Sequence, residues 1–406
     1  MSQRSKLLKS ADGRNYLVPF IMVTSLFFLW GFAHGLLDVL NKHFQEILNV
    51  SKAESGLVQF SVYGGYFLAA LPAGYFMNRF GYKRGIILGL LLYALGSFLF
   101  YPATAVQLFW PFLLALVIIA FGLAFLETAA NPYISVLGPG ESAGRRLNLS
   151  QSFNGLGWIF GPLVGGLTIF GLKDSGETAF SSIAWPYLGV GAVVLLVALM
   201  FYRIPLPEIH ETSSSGEVSV TYKELLKHRH FILAVIAQFF YVAAQTGINS
   251  FFINYTTEAI SGITNAQAAL VLSFGGMGLF FVGRLSGSYL MRSFAPNRLL
   301  SIYATACTLL MALVLAGLGW LSVSALFITY FFMSIMFPTI FVLGLKGLGP
   351  LTKKASSFLV MAIVGGAVCP ILMGYIADHS AMQWGFAVPL FCFLAVLYYG
   401  VKGYKQ

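Results

Sequence analysis

Stretches of about twenty mostly apolar residues, the length that crosses the hydrocarbon core of a bilayer as a helix, recur along the whole chain. They cover 17–40, 53–77, 85–105, 107–137, 144–171, 184–204, 231–257, 267–290, 298–318, 320–345, 355–377 and 385–401. In lipid every backbone N–H and C=O needs an internal partner, so only helices and closed barrels can span. Barrel strands would show short segments of alternating hydrophobicity, whereas these runs are continuous. Charged residues make up 9% of the chain, against roughly 25% in soluble domains. The expectation is an all-α membrane protein with twelve transmembrane helices and a lipid bilayer as its solvent.

The formal net charge is +10, but its distribution argues for orientation and against a nucleic-acid partner. With the N-terminus inside, the cytoplasmic segments hold Arg4, Lys6, Lys9 and Arg14, then Arg79, Lys83 and Arg84, Arg145 and Arg146, Arg203 to Arg229, Arg292 and Arg298, Lys346 to Lys354, and Lys402 with Lys405. The opposite loops hold only Lys42, Lys52 and Lys173, and Arg284 stays within a span. This positive-inside bias puts both termini in the cytoplasm of a bacterial cell, with the chain in the inner membrane. The longest polar stretch, 205–230, contains Pro205, Pro207 and a Ser/Gly run. It divides the chain into a six-helix bundle at 1–204, a cytoplasmic linker at 205–230 and a second six-helix bundle at 231–406. Cys307, Cys369 and Cys392 all lie in spans, at spacings that match no metal or redox motif. The first apolar run is too long for a cleavable signal peptide and no cleavage site follows it.

The two halves repeat one another. Asn131-Pro132-Tyr133-Ile134-Ser135-Val136-Leu137-Gly138 matches Phe337-Pro338-Thr339-Ile340-Phe341-Val342-Leu343-Gly344, and Gly157, Pro162 and Gly166 match Gly365, Pro370 and Gly374. Gly74, Asn78, Arg79, Gly81, Lys83 and Arg84 form a loop motif with a decayed copy from Gly287 to Arg298. Internal repeats of this kind are a mark of secondary transporters. The loop motif resembles the cytoplasmic signature of the major facilitator superfamily, with Asn78 where an Asp is usual. The resemblance implies the major facilitator fold, with two six-helix bundles around a central cavity, alternating access, and a monomer. It also implies a cytoplasmic gate at the motif.

Two carboxylates lie well within apolar spans, Asp38 and Glu127. An ionisable group there is costly and usually serves a pathway. Trp30, His34, Asp38 and Asn41 recur at helical spacing, so they share one face. Glu127 and Asn131 share another, with Pro132 freeing a backbone carbonyl. Gln151, Asn154 and Trp158 form a third stripe, and Gln238, Tyr241, Gln245 and Asn249 a fourth. Each stripe alone could join helices, since polar groups bridge membrane helices. Together with the two acids they suit a sugar, whose hydroxyls want amides and whose C–H face wants a ring. By the repeat, Asp38 corresponds to Phe251 and Glu127 to Met333, so the acids belong to the N-terminal half.

These stretches also resemble a narrower family, the fucose–galactose–glucose proton symporters. The matching residues are Leu26 to Trp30 with Asp38, Leu126 to Pro132 with Val136 to Pro139, Arg146 to Asn154, and Ala237 to Thr246. That resemblance implies that Asp38 carries the proton and that Glu127 and Asn154 contact the sugar. The expected activity is proton-coupled import of L-fucose or a related hexose, with Glu127 sharing in coupling and no cofactor beyond the proton. His34 stands where an amide is expected, and Met336-Phe337 stand where a fucose permease carries Gln-Tyr. The alternatives are facilitated or differently coupled transport of glucose, galactose, an N-acetylhexosamine or another small polar solute. A membrane enzyme would need a nucleophile–base pair or a metal cluster, and neither HExxH nor GxSxG occurs. No Walker motif occurs either, so ATP is not the expected driver.

Overall fold

The computed structural model describes residues 16–137, 143–170, 181–204, 225–291, 293–348 and 351–405. Most of the expected linker, 205–224, lies outside these residues, as do Gly138, Pro139 and the side chain of Asn78. Twelve long helical segments follow in order, at the places of the twelve apolar runs. They are α1 (Leu17–Ile47), α2 (Leu57–Phe80), α3 (Tyr82–Val106), α4 (Phe109–Val136), α5 (143–170) and α6 (Ser181–Arg203). After residues 205–224 come α7 (Arg229–Ala259), α8 (265–290), α9 (Pro296–Leu315), α10 (Trp320–Leu345), α11 (352–379) and α12 (Met382–Gly403). Among the described residues eleven helices are long and apolar enough to cross a membrane. The remaining one, α2, has 24 residues and is diluted by Gln59, Gly64, Gly65, Gly74 and its tyrosines. The first helix continues through Asn41–Phe44, as its polar stripe requires, and reaches 31 residues.

Local chemistry sets the ends. Ser51 and Glu54 form a capping box on the single turn Lys52–Ser55 that leads into α2, and Thr264 and Gln267 form another at the start of α8. Gly81 takes φ 84° between α2 and α3, a conformation glycine adopts without strain. Lys83 then donates to the carbonyls of Tyr202 (3.1 Å) and Ile204 (2.9 Å), neutralising the negative end of α6. Helix α10 breaks at Ser334–Ile335. The carbonyls around the break are taken up by side chains: Tyr241 Oη donates to Met333 (3.0 Å) and Arg284 Nε to Ser334 (3.4 Å). Arg284 also lies over the ring of Phe280.

The chain forms two compact units. One comprises Met1–Leu37 with Gly64–Thr212, the other Asp38–Tyr63 with Ser213–Gln406. In the first, α3 packs on α4 and on α6. Glycines bring α1 and α5 to backbone contact: a Cβ on Gly31 would strike the Asn154 carbonyl, and one on Gly157 the Phe28 carbonyl. Small residues at such crossings are what lets membrane helices approach closely. In the second unit α7 packs on α11 and α12, and α9 on α10 and α12. The end of α1 and the start of α2 belong to this unit by contact, although they come early in the sequence.

Candidate functional site

Two clusters of polar side chains lie in the first unit. The His34 imidazole lies flat on the Trp158 ring, with centroids 5.3 Å apart and planes at 13°. Its Nε2 is 3.3 Å from Tyr66 Oη, and Trp30 meets it edge-on. Three helices therefore converge on His34: α1 carries it, α2 supplies Tyr66 and α5 supplies Trp158. Tyr66 was not singled out by the sequence, although Gln59 and Tyr63 stand at helical spacing from it on α2. Alongside, Asn154 is buried and donates from Nδ2 to the Phe27 carbonyl at 3.1 Å. Thr24 and Ser150 exchange a hydrogen bond of 2.9 Å. Asn154 thus ties α5 to α1, in keeping with the close backbone approach at Gly31.

The second cluster is Glu127, Asn131 and Gln151. Asn131 Nδ2 donates back to the Glu127 carbonyl (3.2 Å), and Gln151 Nε2 donates to Asn131 Oδ1 (3.5 Å). The structure joins the α4 stripe to the α5 stripe. Glu127 itself is partly exposed, and among the described residues no basic side chain pairs with it. Arg146, counted in the sequence among loop charges, is fully buried and donates from Nε to the Ile134 carbonyl at 3.1 Å.

In the second unit the acid is Asp38. It is 2% exposed. Its Oδ1 accepts from Gln59 Nε2 at 3.3 Å, and its Oδ2 has no hydrogen-bond partner. Gln59 was not foreseen, although it shares a face of α2 with Tyr63 and Tyr66 by helical spacing. Asn41, one turn further, is buried and donates from Nδ2 to the Ser250 carbonyl at 2.8 Å. The same register continues with Asn254 donating to Gln45 Oε1 at 2.6 Å, and Asn265 bonds Glu46. A run of amides therefore joins α1 to α7 and α8 within this unit.

The α7 stripe is mostly buried. Gln238 is fully enclosed with neither amide atom bonded, and Asn249 Oδ1 is likewise unpartnered. Gln245 is half-buried. Tyr241 is committed to the Met333 carbonyl and meets Phe337 at 62°. Phe251 and Met333, the apolar counterparts of the two acids in the repeat, are buried, as is Met336. Of the loop motif, Arg79, Gly81 and Arg84 are exposed, and Lys83 makes the helix-end contact already described. Among the described residues no group of His, Cys, Asp or Glu could hold a metal ion.

The sequence profile described as Major Facilitator Superfamily matches residues 21–362. The chain is 40% identical to the L-fucose-proton symporter of Escherichia coli K12, over 95% of this chain and 93% of that protein. It is 38% identical to a putative glucose/galactose transporter of Helicobacter pylori 26695, over 95% and 96% of the two chains. A crystal structure of the major facilitator transporter FucP in the outward conformation covers 97% of this chain and 100% of its own, with a TM-score of 0.71 and 38% identity. These relatives are transporters and not enzymes. A multi-pass helical chain matched along nearly its whole length in sequence and in fold belongs to the Major Facilitator Superfamily, within its fucose–galactose–glucose proton symporter family.

Proposed function

We propose that this protein is a proton-coupled sugar symporter that imports L-fucose or a related hexose by alternating access. The observation that carries the reading is Asp38: an acid enclosed in a transmembrane helix, held by one neutral amide, with its second oxygen unpartnered. A structural acid would be paired with a base or fully hydrogen-bonded; a group that takes and releases a proton needs partners that serve both states. Asp38 is the proton carrier, Glu127 and Asn154 contact sugar hydroxyls, and Glu127 shares in coupling. The remaining amides and aromatics, Gln151, Asn131, His34, Asn41, Trp158, Gln238, Tyr241, Gln245 and Asn249, supply hydroxyl partners and ring surface. Two six-helix halves joined by the 205–230 linker, a monomer, and an inner-membrane location with cytoplasmic termini complete the reading.

The substrate class follows from chemistry in α10. Met336 and Phe337 are apolar, so they accept the methyl of a 6-deoxy sugar without burying an unbonded hydroxyl, which costs about 1–3 kcal/mol. Glucose and galactose are the next choices, since relatives with those names are nearly as similar as the fucose symporter. The test is a sugar-competition panel in right-side-out vesicles with the external pH recorded. L-Fucose addition should alkalinise the medium and compete with its own labelled uptake. Alkalinisation by galactose or glucose alone moves the substrate while leaving the symporter standing. No sugar in the panel moving protons would sink the proposal.

A further inference from the structure

Helices α7 and α11 pack side by side and leave a groove between them. At one end the rings of Phe231 and Phe358 meet edge-on, 6.4 Å apart at 84°. Towards the other the backbones touch, since a Cβ on Gly365 would strike the Phe239 carbonyl. Between these contacts Ala362–Val364 form a turn of 3-10 helix, which shifts the side-chain register of the α11 wall. The groove holds about 400 Å³ and is walled mainly by Val235, Ile236, Phe239 and Phe240 of α7 and by Phe358 and Met361 of α11. Every lining side chain is apolar, so a sugar there would bury hydroxyls without partners, whereas a hydrocarbon chain loses nothing. At 1.5 Å per residue, Val235 and Phe240 lie about 9 and 17 Å along α7 from Arg229. That is the depth of one leaflet's acyl chains in a hydrocarbon core about 30 Å thick.

The charges at the mouth name the lipid. Lys227 and Arg229 are exposed just before the α7 wall. Arg229, Ile232 and Ile236 share a face at helical spacing, as do Lys354, Phe358 and Met361. Neither helix has an acid in its first turn, and among the described residues no carboxylate pairs with Lys227 or Arg229. We propose that the groove is a specific site for an anionic phospholipid of the inner leaflet, with one acyl chain between α7 and α11 and the phosphate at Arg229 and Lys227. The leaflet rests on the orientation given under the proposed function, in which these segments are cytoplasmic; the site owes nothing to which solute is carried. A guanidinium binds phosphate through paired N–H bonds, and its stem can lie along the apolar wall while the head stays in water. A zwitterionic lipid offers the same chain without net charge, so the headgroup sets the preference.

The experiment uses purified, delipidated full-length protein and native mass spectrometry, with phosphatidylglycerol and phosphatidylcholine of identical chains as probes. The first phosphatidylglycerol should bind more than tenfold more tightly than the first phosphatidylcholine, from two basic side chains at about fivefold each. Arg229→Gln should weaken phosphatidylglycerol about fivefold and leave phosphatidylcholine unchanged. Ile236→Trp, which fills the groove, should weaken phosphatidylglycerol at least as much. Equal affinity of the two lipids for the wild type, or unchanged phosphatidylglycerol binding in either variant, overturns the proposal. A second arm places the chain: in reconstituted Phe240→Trp, the emission added over wild type should be quenched more by brominated phosphatidylglycerol than by brominated phosphatidylcholine. Quenching by neither lipid would put protein in the groove, such as residues 205–224, and overturn the lipid assignment. Soluble glycerol phosphate should not displace bound lipid; displacement would make this a free-phosphate site and overturn the assignment too. Should Ile236→Trp not fold, the quenching arm decides. No arm uses a sugar or a pH gradient, so loss of the symporter reading leaves the site standing, and loss of the site leaves symport standing.

Discussion

The carboxylate of Asp378 accepts the backbone N–H groups of Lys52 and Ala53, one on each oxygen, both at 2.9 Å. These are among the donors a helix start leaves unpaired, so the end of α11 caps the turn that leads into α2. Lys52 adds an ion pair to Glu258 at 2.8 Å. The contact is close enough that a Cβ on Gly374 would strike the Lys52 carbonyl. Asp378→Ala should cost about 1 kcal/mol of local stability, the usual scale of a lost cap. Amide exchange over Lys52–Ser55 should then quicken several-fold; unchanged exchange would mean that the cap is not holding this turn. Glu258→Gln should do much less, because an exposed ion pair contributes about 0–1 kcal/mol.

Asp38→Asn should abolish uphill accumulation and retain sugar exchange. The amide keeps the size of the carboxyl and its bond to Gln59 but cannot bind and release a proton. External pH in vesicles reads this directly. Continued alkalinisation by the variant on sugar addition would remove Asp38 from coupling.

Glu127→Ala and Asn154→Ala should each weaken sugar binding about tenfold or more, since a lost bond to a charged or buried polar group costs ~1.5–3 kcal/mol. The two should differ in thermal stability. Asn154 also holds the Phe27 carbonyl across the α1–α5 crossing, so its loss lowers the melting temperature, while Glu127 has no comparable tie. Titration calorimetry beside a melting assay separates binding from folding. Wild-type affinity in either variant takes that residue out of the site.

His34 should govern selectivity more than rate. Its ring is held by Trp158 and Tyr66 together, so its donor and acceptor directions are set by packing. His34→Asn should change the ratio of L-fucose to D-galactose competition. Tyr66→Phe should change the ratio in the same sense and by less, because the Trp158 stack remains. An unchanged ratio in both variants would show the cluster to be packing alone.

Much of the architecture was legible because it depends on properties that add up along the chain. Apolar run length sets where helices can lie in lipid, and lysine and arginine placement sets the expected orientation. The repeat of Asn131–Gly138 in Phe337–Gly344 and the loop motif at Gly74–Arg84 pointed to the family, which the whole-length matches bear out. Helical spacing also grouped the polar residues into stripes, and Glu127, Asn131 and Gln151 do meet.

Tertiary structure alone decided what each stripe faces. A period of 3.6 residues says which side chains share a face; it says nothing about the helix opposite, which is often more than a hundred residues away in sequence. Asn41 shares the face of Asp38 by spacing, and only the fold shows that its Nδ2 donates to the Ser250 carbonyl. Arg146 read as a loop charge and is buried against Ile134. Gln59 and Tyr66 were passed over, although with Tyr63 they recur at helical spacing on α2. The meaning of each lies in its neighbour: Asp38 for Gln59, His34 for Tyr66. Only folding, which trades water for whatever protein group happens to lie across the interface, brings those neighbours into place.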